Sequence, residues 1–443
     1  MADLANDSRC GRSIPSMVSP PVPEILGTEL PEGSRFIGTP DGAVPNWRAG
    51  RAEPTREDLN MCVACGLCLP HCPTYRLTGE ESQSPRGRIA AMRAVSDGIA
   101  EPERTFSVFM DACLVCRACE DVCPSHVPFG RMMEGAREQV EAVRTRRSRL
   151  TRWLGFHWIL PHPSLVRASA LMTRVARPVL PGRLRKLLPK KGHPFARLPK
   201  VSEPPAGVEV RGTVALLSGC AQDRWYHQVN RATIRVLNRA GWRITVPRAQ
   251  ACCGALAAHN GRLAVARRLA TRAAFAFRGA DVVVVNAAGC SAHMKGYEEL
   301  RPGTGLPVRD LVEFLHDEGM GFDLGSIEST VAYHDACHAL RQGITLQPRR
   351  LLLEIPELHL VDVPDGDRCC GAAGIHNVTQ PEASGELGRA KAEAIVSTGA
   401  TIVASANPGC SMQISRWLRE AGSGIEVLHP VELLDRAAAA GGP

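Results

Sequence analysis

The order of hydrophobic and polar positions divides the chain into two parts with different predicted elements. From about residue 208, short apolar runs that predict strands alternate with amphipathic segments that predict helices, as in TVALLSGC followed by VNRATIRVLNRAG. Parallel βαβ units have this order, and ligands of such sheets bind at the carboxyl ends of the strands. Residues 51–140 instead predict short helices around tight cysteine-containing loops. The pattern predicts an α+β multidomain protein with a helical N-terminal part and parallel sheets in the C-terminal part.

The strand–helix part of the chain is an internal duplication. Residues 252–260 read CCGALAAHN and residues 369–377 read CCGAAGIHN, an offset of 369 − 252 = 117. The same offset relates Cys220 to Cys337, and in each copy predicted strands end at cysteines. We therefore predict two duplicated α/β domains, called CCG domains after this tripeptide, at residues 208–326 and 327–443.

Composition separates three further segments in front of the CCG domains. Residues 1–50 are rich in Pro and Gly and predict a flexible leader, whereas 51–140 predict a cysteine-loop domain. Residues 141–207 predict a basic, proline-rich linker: of the +8 net charge, the excess lies at 141–200, with 15 Lys or Arg and one acid, Glu141. A solvated linker, an acidic partner surface and an anionic membrane face remain alternatives. Nucleic acid is not expected as a partner, because no recognised motif accompanies the charge.

Cysteine usage and the start of the sequence indicate the compartment. No secretory signal pattern is present, and no apolar run approaches the roughly 18 residues that a spanning helix requires. We expect a cytoplasmic protein, and peripheral contact with the cytoplasmic face of the membrane stays open. In that compartment, 17 cysteines that are mostly clustered indicate metal binding rather than disulfides.

The front of the chain carries the pattern C-x2-C-x2-C-x3-C-P twice, as CVACGLCLPHCP at 62–73 and CLVCRACEDVCP at 113–124. This spacing predicts two [4Fe-4S] clusters, and in the two-cluster pattern the fourth cysteine of each run serves the other cluster. Zinc is the weaker alternative, because it favours two C-x2-C pairs per ion. The predicted ligands are Cys62, Cys65, Cys68 and Cys123 for cluster one, and Cys113, Cys116, Cys119 and Cys72 for cluster two.

Each CCG domain adds four cysteines whose use the sequence leaves open. A third redox centre, such as an iron–sulfur centre or a redox disulfide, and buried reduced thiols are the alternatives. The cysteines are Cys220, Cys252, Cys253 and Cys290 in the first domain and Cys337, Cys369, Cys370 and Cys410 in the second. Five histidines fall near them, namely His259, His293, His334, His338 and His376.

These motifs together resemble the glycolate oxidase iron–sulfur subunit family. The resemblance rests on CVACGLCLPHCPTYRLTGEESQSPRGRI, CLVCRACEDVCPSHV, GCAQ at 219–222 and the two CCG units, and it covers residues 55 to about 435. The motifs are similar also to lactate-utilisation iron–sulfur proteins and heterodisulfide reductase subunits. The resemblance implies a ferredoxin-like dicluster domain in an electron-transfer subunit. Its partner would be a flavoprotein that oxidises a 2-hydroxy acid, and its acceptor a quinone or another carrier.

The leading hypothesis is therefore the iron–sulfur subunit of a flavin-linked 2-hydroxy-acid dehydrogenase of the glycolate oxidase type. No G-x-G-x-x-G after a strand and no P-loop occurs, so we expect the flavin on another chain and no catalysis by the isolated chain. A heterodisulfide-reductase-like thiol–disulfide oxidoreductase subunit is the alternative, and a redox sensor or scaffold is a third. Against the thiol–disulfide alternative, the last C-x2-C of that family reads CSAH and CSMQ here, with His293 and Gln413 in place of cysteine.

Overall fold

The structure, a computed structural model, describes residues 44–176 and 192–441. Most of the predicted leader at 1–50 and part of the predicted linker lie outside the described residues, as does Cys10.

Six helices frame the two cysteine loops in the front part of the chain. The Thr55 side chain caps the first of them by accepting from the Asp58 N–H. Ser84 caps the third in the same way, and Pro85 takes its first helical position. All six helices except the second contribute to one apolar core with the cysteine loops. The six helices are α1 (Arg56–Asn60), α2 (Pro73–Thr78), α3 (Pro85–Ser96), α4 (Arg104–Ala112), α5 (Ala118–Asp121) and α6 (Phe129–Val140), with a 3₁₀ turn at Glu81–Gln83.

Part of the basic stretch is helical. It forms α7 (Arg146–Trp153), a π-helical segment (Leu154–Ile159) and α8 (Pro163–Ala176). Phe156 is buried in the core of the first CCG domain, and the Pro161 carbonyl accepts from Arg272 Nη1 at 2.9 Å. These residues are therefore packed onto the first CCG domain.

The first CCG domain contains a five-stranded sheet in the order β1-β3-β2-β4-β5, parallel except for β1. The strands are β1 (Val201–Ser202), β2 (Gly212–Leu217), β3 (Trp242–Thr245), β4 (Val283–Val285) and β5 (Val308–Asp310). The helices are α9 (Ala221–Trp225), α10 (His227–Arg239), α11 (Ala255–Ala258), α12 (Leu263–Ala276), α13 (Ala288–Lys295), α14 (Tyr297–Leu300) and α15 (Leu311–Glu318).

The second CCG domain repeats this arrangement with a four-stranded, fully parallel sheet in the order β7-β6-β8-β9. Its strands are β6 (Ser329–His334), β7 (Leu358–Asp362), β8 (Ile402–Ser405) and β9 (Glu426–Leu428). Its helices are α16 (Cys337–Leu340), α17 (Leu346–Leu353), α18 (His376–Thr379), α19 (Pro381–Val396), α20 (Pro408–Glu420) and α21 (Pro430–Ala440).

The two CCG domains share a core. The last helix, α21, packs against α10 of the first domain, and Asp435 accepts from Arg235 Nε at 2.9 Å across that contact. Buried residues of both sheets belong to one apolar cluster. The helical front and the two parallel sheets confirm the predicted fold class. Within the described ranges, none of the helices combines the length and apolar composition needed to cross a lipid bilayer.

Candidate iron–sulfur sites

The two cysteine loops have the same unusual backbone conformation. The second residue after the first cysteine of each run is in the left-handed region, Ala64 at φ 56° and Val115 at φ 51°. The residue after the second cysteine of each run is also in the left-handed region, Gly66 at φ 85° and Arg117 at φ 62°. A β-branched valine rarely adopts this conformation, and such strain persists where surrounding structure or a bound group requires it. Both loops therefore wrap in a way that aims their thiols at a common centre.

The first loop encloses a cavity near the surface. Arg86 borders it, and its guanidinium donates to the Ala64 carbonyl at 3.3 Å. Arg93 holds the start of the loop by donating to the carbonyls of Leu59 and Cys62 at 2.6 Å each. The residues that line this cavity include the four thiols predicted for cluster one, Cys62, Cys65, Cys68 and Cys123.

The second loop encloses a cavity that is buried. Its thiols are the four predicted for cluster two, Cys72, Cys113, Cys116 and Cys119. The fourth cysteine of each run lines the cavity of the other run, Cys123 at the first cavity and Cys72 at the second. Cys119 lines both cavities, so the two centres would be close neighbours. The donor set of each cavity fits a cubane, and ligation itself remains a prediction.

The surroundings of these thiols disfavour their ionisation. Burial, together with the neighbouring Cys337 sulfur, raises the pKa of Cys116 well above its ordinary value. Burial and the Cys116 sulfur do the same to the pKa of Cys119. Metal ligation needs the thiolate, so a bound metal centre would have to supply the positive charge that stabilises it here.

Two buried arginines hold the loops in place. Arg88 donates to the Phe109 carbonyl at 2.8 Å and to Thr74 Oγ1 at 3.2 Å, and Thr74 Oγ1 lies 3.2 Å from the Cys72 sulfur. Arg137 on α6 donates to the Cys113 carbonyl at 2.5 Å. These side chains satisfy carbonyls that would otherwise be buried without a partner.

The first CCG domain gathers its four cysteines at the carboxyl ends of β3, β2 and β4. Their sulfurs form two pairs: Cys220 and Cys252 lie 3.6 Å apart, and Cys253 and Cys290 lie 3.2 Å apart. Both distances exceed the roughly 2.05 Å of a disulfide, and the thiols are free. Gly254 adopts φ +95°, which lets its N–H reach the Cys252 sulfur at 3.4 Å.

The second CCG domain gathers its cysteines in the same way, at the ends of β7, β6 and β8. Gly371 at φ +82° reproduces the turn after the cysteine pair, and its N–H donates to Cys369 at 3.4 Å. Cys370 and Cys410 lie near His334, the last residue of β6, with all three ligand atoms within 4.8 Å of one another. Among the described residues, this is the one group in which three His, Cys, Asp or Glu ligand atoms lie this close together.

Side chains that the sequence did not single out join the second CCG domain to the second cysteine loop. Arg341, which follows α16, donates to Glu120 at 3.3 Å and to the Arg117 carbonyl at 3.2 Å, and also pairs with Asp121. Glu120 in turn accepts from the Gly130 N–H at 2.6 Å. No local sequence signal marks Arg341, because its partners lie more than two hundred residues earlier.

Three histidines of the CCG domains meet at the junction with the front domain. The His259 ring centroid lies 6.0 Å from that of His293 and 5.3 Å from that of His338. His259 Nδ1 lies 2.8 Å from a carboxylate oxygen of Glu134 on α6, a contact that the sequence did not reveal. Burial lowers the pKa of His338 to about 3, so this imidazole is neutral. His376, the remaining candidate, is buried at the start of α18, and burial lowers its pKa to about 4.

A helical domain with two four-thiol cavities, followed by two cysteine-bearing parallel sheets, defines an iron–sulfur protein. The family model of the 4Fe-4S dicluster domain matches residues 58–127, and the model of the CCG cysteine-rich domain matches 214–295 and 331–415. The chain is 35% identical over 424 residues to the probable glycolate oxidase iron–sulfur subunit of Bacillus subtilis (strain 168). It is 32% identical over 399 residues to the glycolate oxidase iron–sulfur subunit of Escherichia coli (strain K12). Each comparison covers 86% of this chain and 94% of the relative.

The chain therefore belongs to the glycolate oxidase iron–sulfur subunit family, as its motifs predict. A further relative, lactate utilization protein A of Oceanobacillus iheyensis, is 30% identical over 234 residues, which are 50% of this chain and 96% of that protein. Family and domain content make this chain an iron–sulfur electron-transfer subunit of an oxidoreductase.

Proposed function

We propose that this chain relays single electrons within a flavin-linked 2-hydroxy-acid dehydrogenase of the glycolate oxidase type. The observation that carries the proposal is the pair of adjacent four-thiol cavities, one near the surface and one buried, that share Cys119. When bound, two [4Fe-4S] clusters supply one-electron acceptance and release. Cys62, Cys65, Cys68 and Cys123 would hold one cluster, and Cys72, Cys113, Cys116 and Cys119 the other.

The protein's own residues determine where electrons can enter. The first cavity is bordered by an exposed apolar rim, in which Val63 is 64% and Leu67 56% exposed, and Cys65 is itself exposed. The second cavity is closed off by the second CCG domain through Arg341 and Glu120. We therefore place the contact with the partner flavoprotein at the first cavity, because electron transfer needs close approach and an apolar rim excludes water from the contact.

The experiment that tests this function combines the anaerobically purified chain with a flavoprotein 2-hydroxy-acid oxidase. Reduction of a quinone analogue with glycolate or lactate as donor is expected from the combination and not from this chain alone. Oxidation of either acid by the isolated chain would contradict the division of labour. A colourless preparation without an electron paramagnetic resonance signal after dithionite reduction would contradict the relay itself.

A second part of the proposal concerns the membrane. Large apolar side chains are exposed on α7 and the π-helical segment, and we call them the tryptophan face: Leu150, Trp153, Leu154, Trp158 and Ile159. A depression with a net basic lining adjoins this face. Four arginines, Arg51, Arg146, Arg149 and Arg262, line it together with one acid, Glu141, which pairs with Arg262, and Leu150 and Trp153 form its apolar side. Aromatic side chains beside arginines suit the interface of an anionic bilayer, where the rings enter the headgroup region and the cations meet phosphates. We propose that the chain binds peripherally to such a surface, which would bring it near a quinone acceptor.

A further inference from the structure

His334 is an imidazole without a hydrogen-bond partner in the core of the second CCG domain. It is 1% exposed, and neither ring nitrogen has a partner in the structure. Leaving a buried polar group unpaired is energetically unfavourable, so such groups in native proteins need a reason. A bound ligand at one nitrogen would supply that reason.

Two thiols stand beside this imidazole. The ligand atoms of His334, Cys370 and Cys410 lie within 4.8 Å of one another, and all three residues are buried. The fold explains the meeting: β7, β6 and β8 are neighbours and parallel, so residues at or just after their carboxyl ends converge. Cys410 also sits in the first turn of α20, a helix of 13 residues.

We propose that His334, Cys370 and Cys410 bind one divalent transition-metal ion of the zinc or ferrous class. Imidazole nitrogen and thiolate sulfur are the donors that these ions prefer. Binding releases the two thiol protons to solvent, and the two thiolates then neutralise the ion's two positive charges. The centre is neutral overall, which a buried site requires. Three protein ligands leave one position of a tetrahedral ion for a further donor.

The first CCG domain lacks this site, which makes the two repeats chemically different. At the repeat offset of 117 residues (334 − 217 = 117), Leu217 stands where the second domain has His334. Leu217 is 2% exposed and packs in the apolar core. The equivalent sulfurs of Cys253 and Cys290 instead lie beside each other at 3.2 Å. This metal site is separate from the electron relay, because it depends on His334, which has no counterpart in the first repeat.

The test uses the full chain with its iron–sulfur clusters intact, and Co²⁺ as the probe. Anaerobic titration with Co²⁺ of protein stripped of loosely held divalent ions should give thiolate-to-cobalt absorption and tetrahedral d–d bands that saturate at one equivalent. The variant His334→Leu, which copies the first repeat, should weaken Co²⁺ binding at least tenfold. The double variant Cys253→Ser/Cys290→Ser in the first domain is the matched control and should bind Co²⁺ as the wild type does.

Two outcomes would overturn the proposal. One is a His334→Leu variant that binds Co²⁺ as tightly as the wild type. The other comes from X-ray absorption of the cobalt-loaded wild type, which needs no variant to fold: sulfur neighbours alone would exclude the site, whereas nitrogen at roughly 2.0–2.1 Å with sulfur at about 2.3 Å supports it. Mass spectrometry of the protein as isolated distinguishes zinc from iron. Unchanged cluster resonance signals in His334→Leu would separate this site from the relay.

Discussion

Cys116 of the second cysteine loop and Cys369 of the second CCG domain lie in one small apolar cluster, together with Leu114 and Leu387. A hydrogen bond with Cys337 lowers the pKa of Cys369, but a hydrogen bond with Cys370 and burial raise that pKa well above its ordinary value, and the nearby Cys116 sulfur adds to the rise. The buried cavity therefore faces the second CCG domain, whereas the first cavity faces solvent. The two cavities thus differ in exposure, and the second repeat is the neighbour of the second cavity.

Replacing Cys116 by serine should remove one of the two clusters. A serine hydroxyl is a poor substitute for a thiolate, so we expect a loss of about half of the iron and acid-labile sulfide. Iron analysis and electron paramagnetic resonance of the reduced, anaerobically purified variant measure this. Cys10→Ser is the control, since Cys10 belongs to neither pattern, and it should retain all the iron. Full iron content in Cys116→Ser would contradict the ligand assignment.

A charge placed on the rim of the first cavity should slow electron entry without emptying the cavity. We expect Leu67→Glu to lower the rate of reduction by the flavoprotein about tenfold or more, because a desolvated contact cannot accommodate an unpaired carboxylate. Stopped-flow absorbance of the cluster bands gives the rate, and iron analysis verifies loading. Val108→Glu on α4 is the matched control, because Val108 is exposed and lines neither cavity. Equal reduction rates for the two variants would show that the flavoprotein does not bind at the rim of the first cavity.

The buried Arg137 should be important for stability. It donates to the carbonyls of Met110, Cys113 and His259, and so connects α6, the second loop and the first CCG domain. Arg137→Met leaves these carbonyls without a donor, and we expect it to lower the free energy of unfolding by roughly 3–5 kcal/mol.

Thermal unfolding under anaerobic conditions measures the effect of Arg137→Met. The stability of the conservative variant Arg137→Lys should lie between those of the wild type and Arg137→Met, because a lysine ammonium can replace only some of the hydrogen bonds that the guanidinium donates. Arg147→Met, at an exposed position of α7, should change stability by less than about 0.5 kcal/mol. A stability change below about 0.5 kcal/mol for Arg137→Met would show that the carbonyls bound by Arg137 find other donors.

The tryptophan face should control binding to anionic vesicles. Burying an aromatic ring is worth about 1.5–3 kcal/mol, so Trp158→Ser should weaken binding to phosphatidylglycerol vesicles by about tenfold or more. Sedimentation with vesicles gives the affinity, and added salt should weaken it further by screening the arginines. Phe275→Ser removes an exposed ring from α12, outside the tryptophan face, and should bind like the wild type. Binding that is absent in the wild type, or insensitive to salt, would exclude the membrane role.

The sequence predicted the elements and donors that depend on local pattern. Strand β2 ends just before Cys220 because an apolar run stops there, and the spacing of the two cysteine runs predicts ligand sets whose members line the two cavities. What it did not predict depends on packing between distant segments. Glu141, the one acid among the basic residues, is buried against Arg144, Arg152 and Arg262, a hub that composition alone cannot reveal.

The same limit applies to the candidate metal site. His334 was one of five histidines near cysteines, and the sequence offered no reason to prefer it. The preference comes from the β6–β8 pairing, which places His334 opposite Ser405, five residues before Cys410. Strand order is a property of the whole sheet, so the spacing between His334 and Cys410 carries no signal.

Asp310 at the end of β5 is a buried carboxyl outside all of these cysteine sites. It caps α15 by accepting from the Val312 N–H at 3.1 Å and accepts from the Ser291 hydroxyl at 2.7 Å. Burial raises the pKa of Asp310 to about 6 despite these hydrogen bonds. A raised folded-state pKa means that the stability contribution is complete below the unfolded value near 3.8 and is lost as the pH rises through about 6.

Asp310→Asn should therefore remove a pH-dependent cost while keeping the cap, since asparagine is as good an N-cap as aspartate. Between pH 5 and pH 7.5 we expect the stability of the variant to rise by about 1 kcal/mol relative to the wild type, because the wild-type carboxyl ionises in its buried site over that range. Chemical unfolding at the two pH values measures the difference. Asp323→Asn, at an exposed carboxyl, should show none. A constant difference between Asp310→Asn and the wild type would mean that Asp310 is already ionised at pH 5, with its charge compensated by Ser291, Val312 and the nearby Lys295.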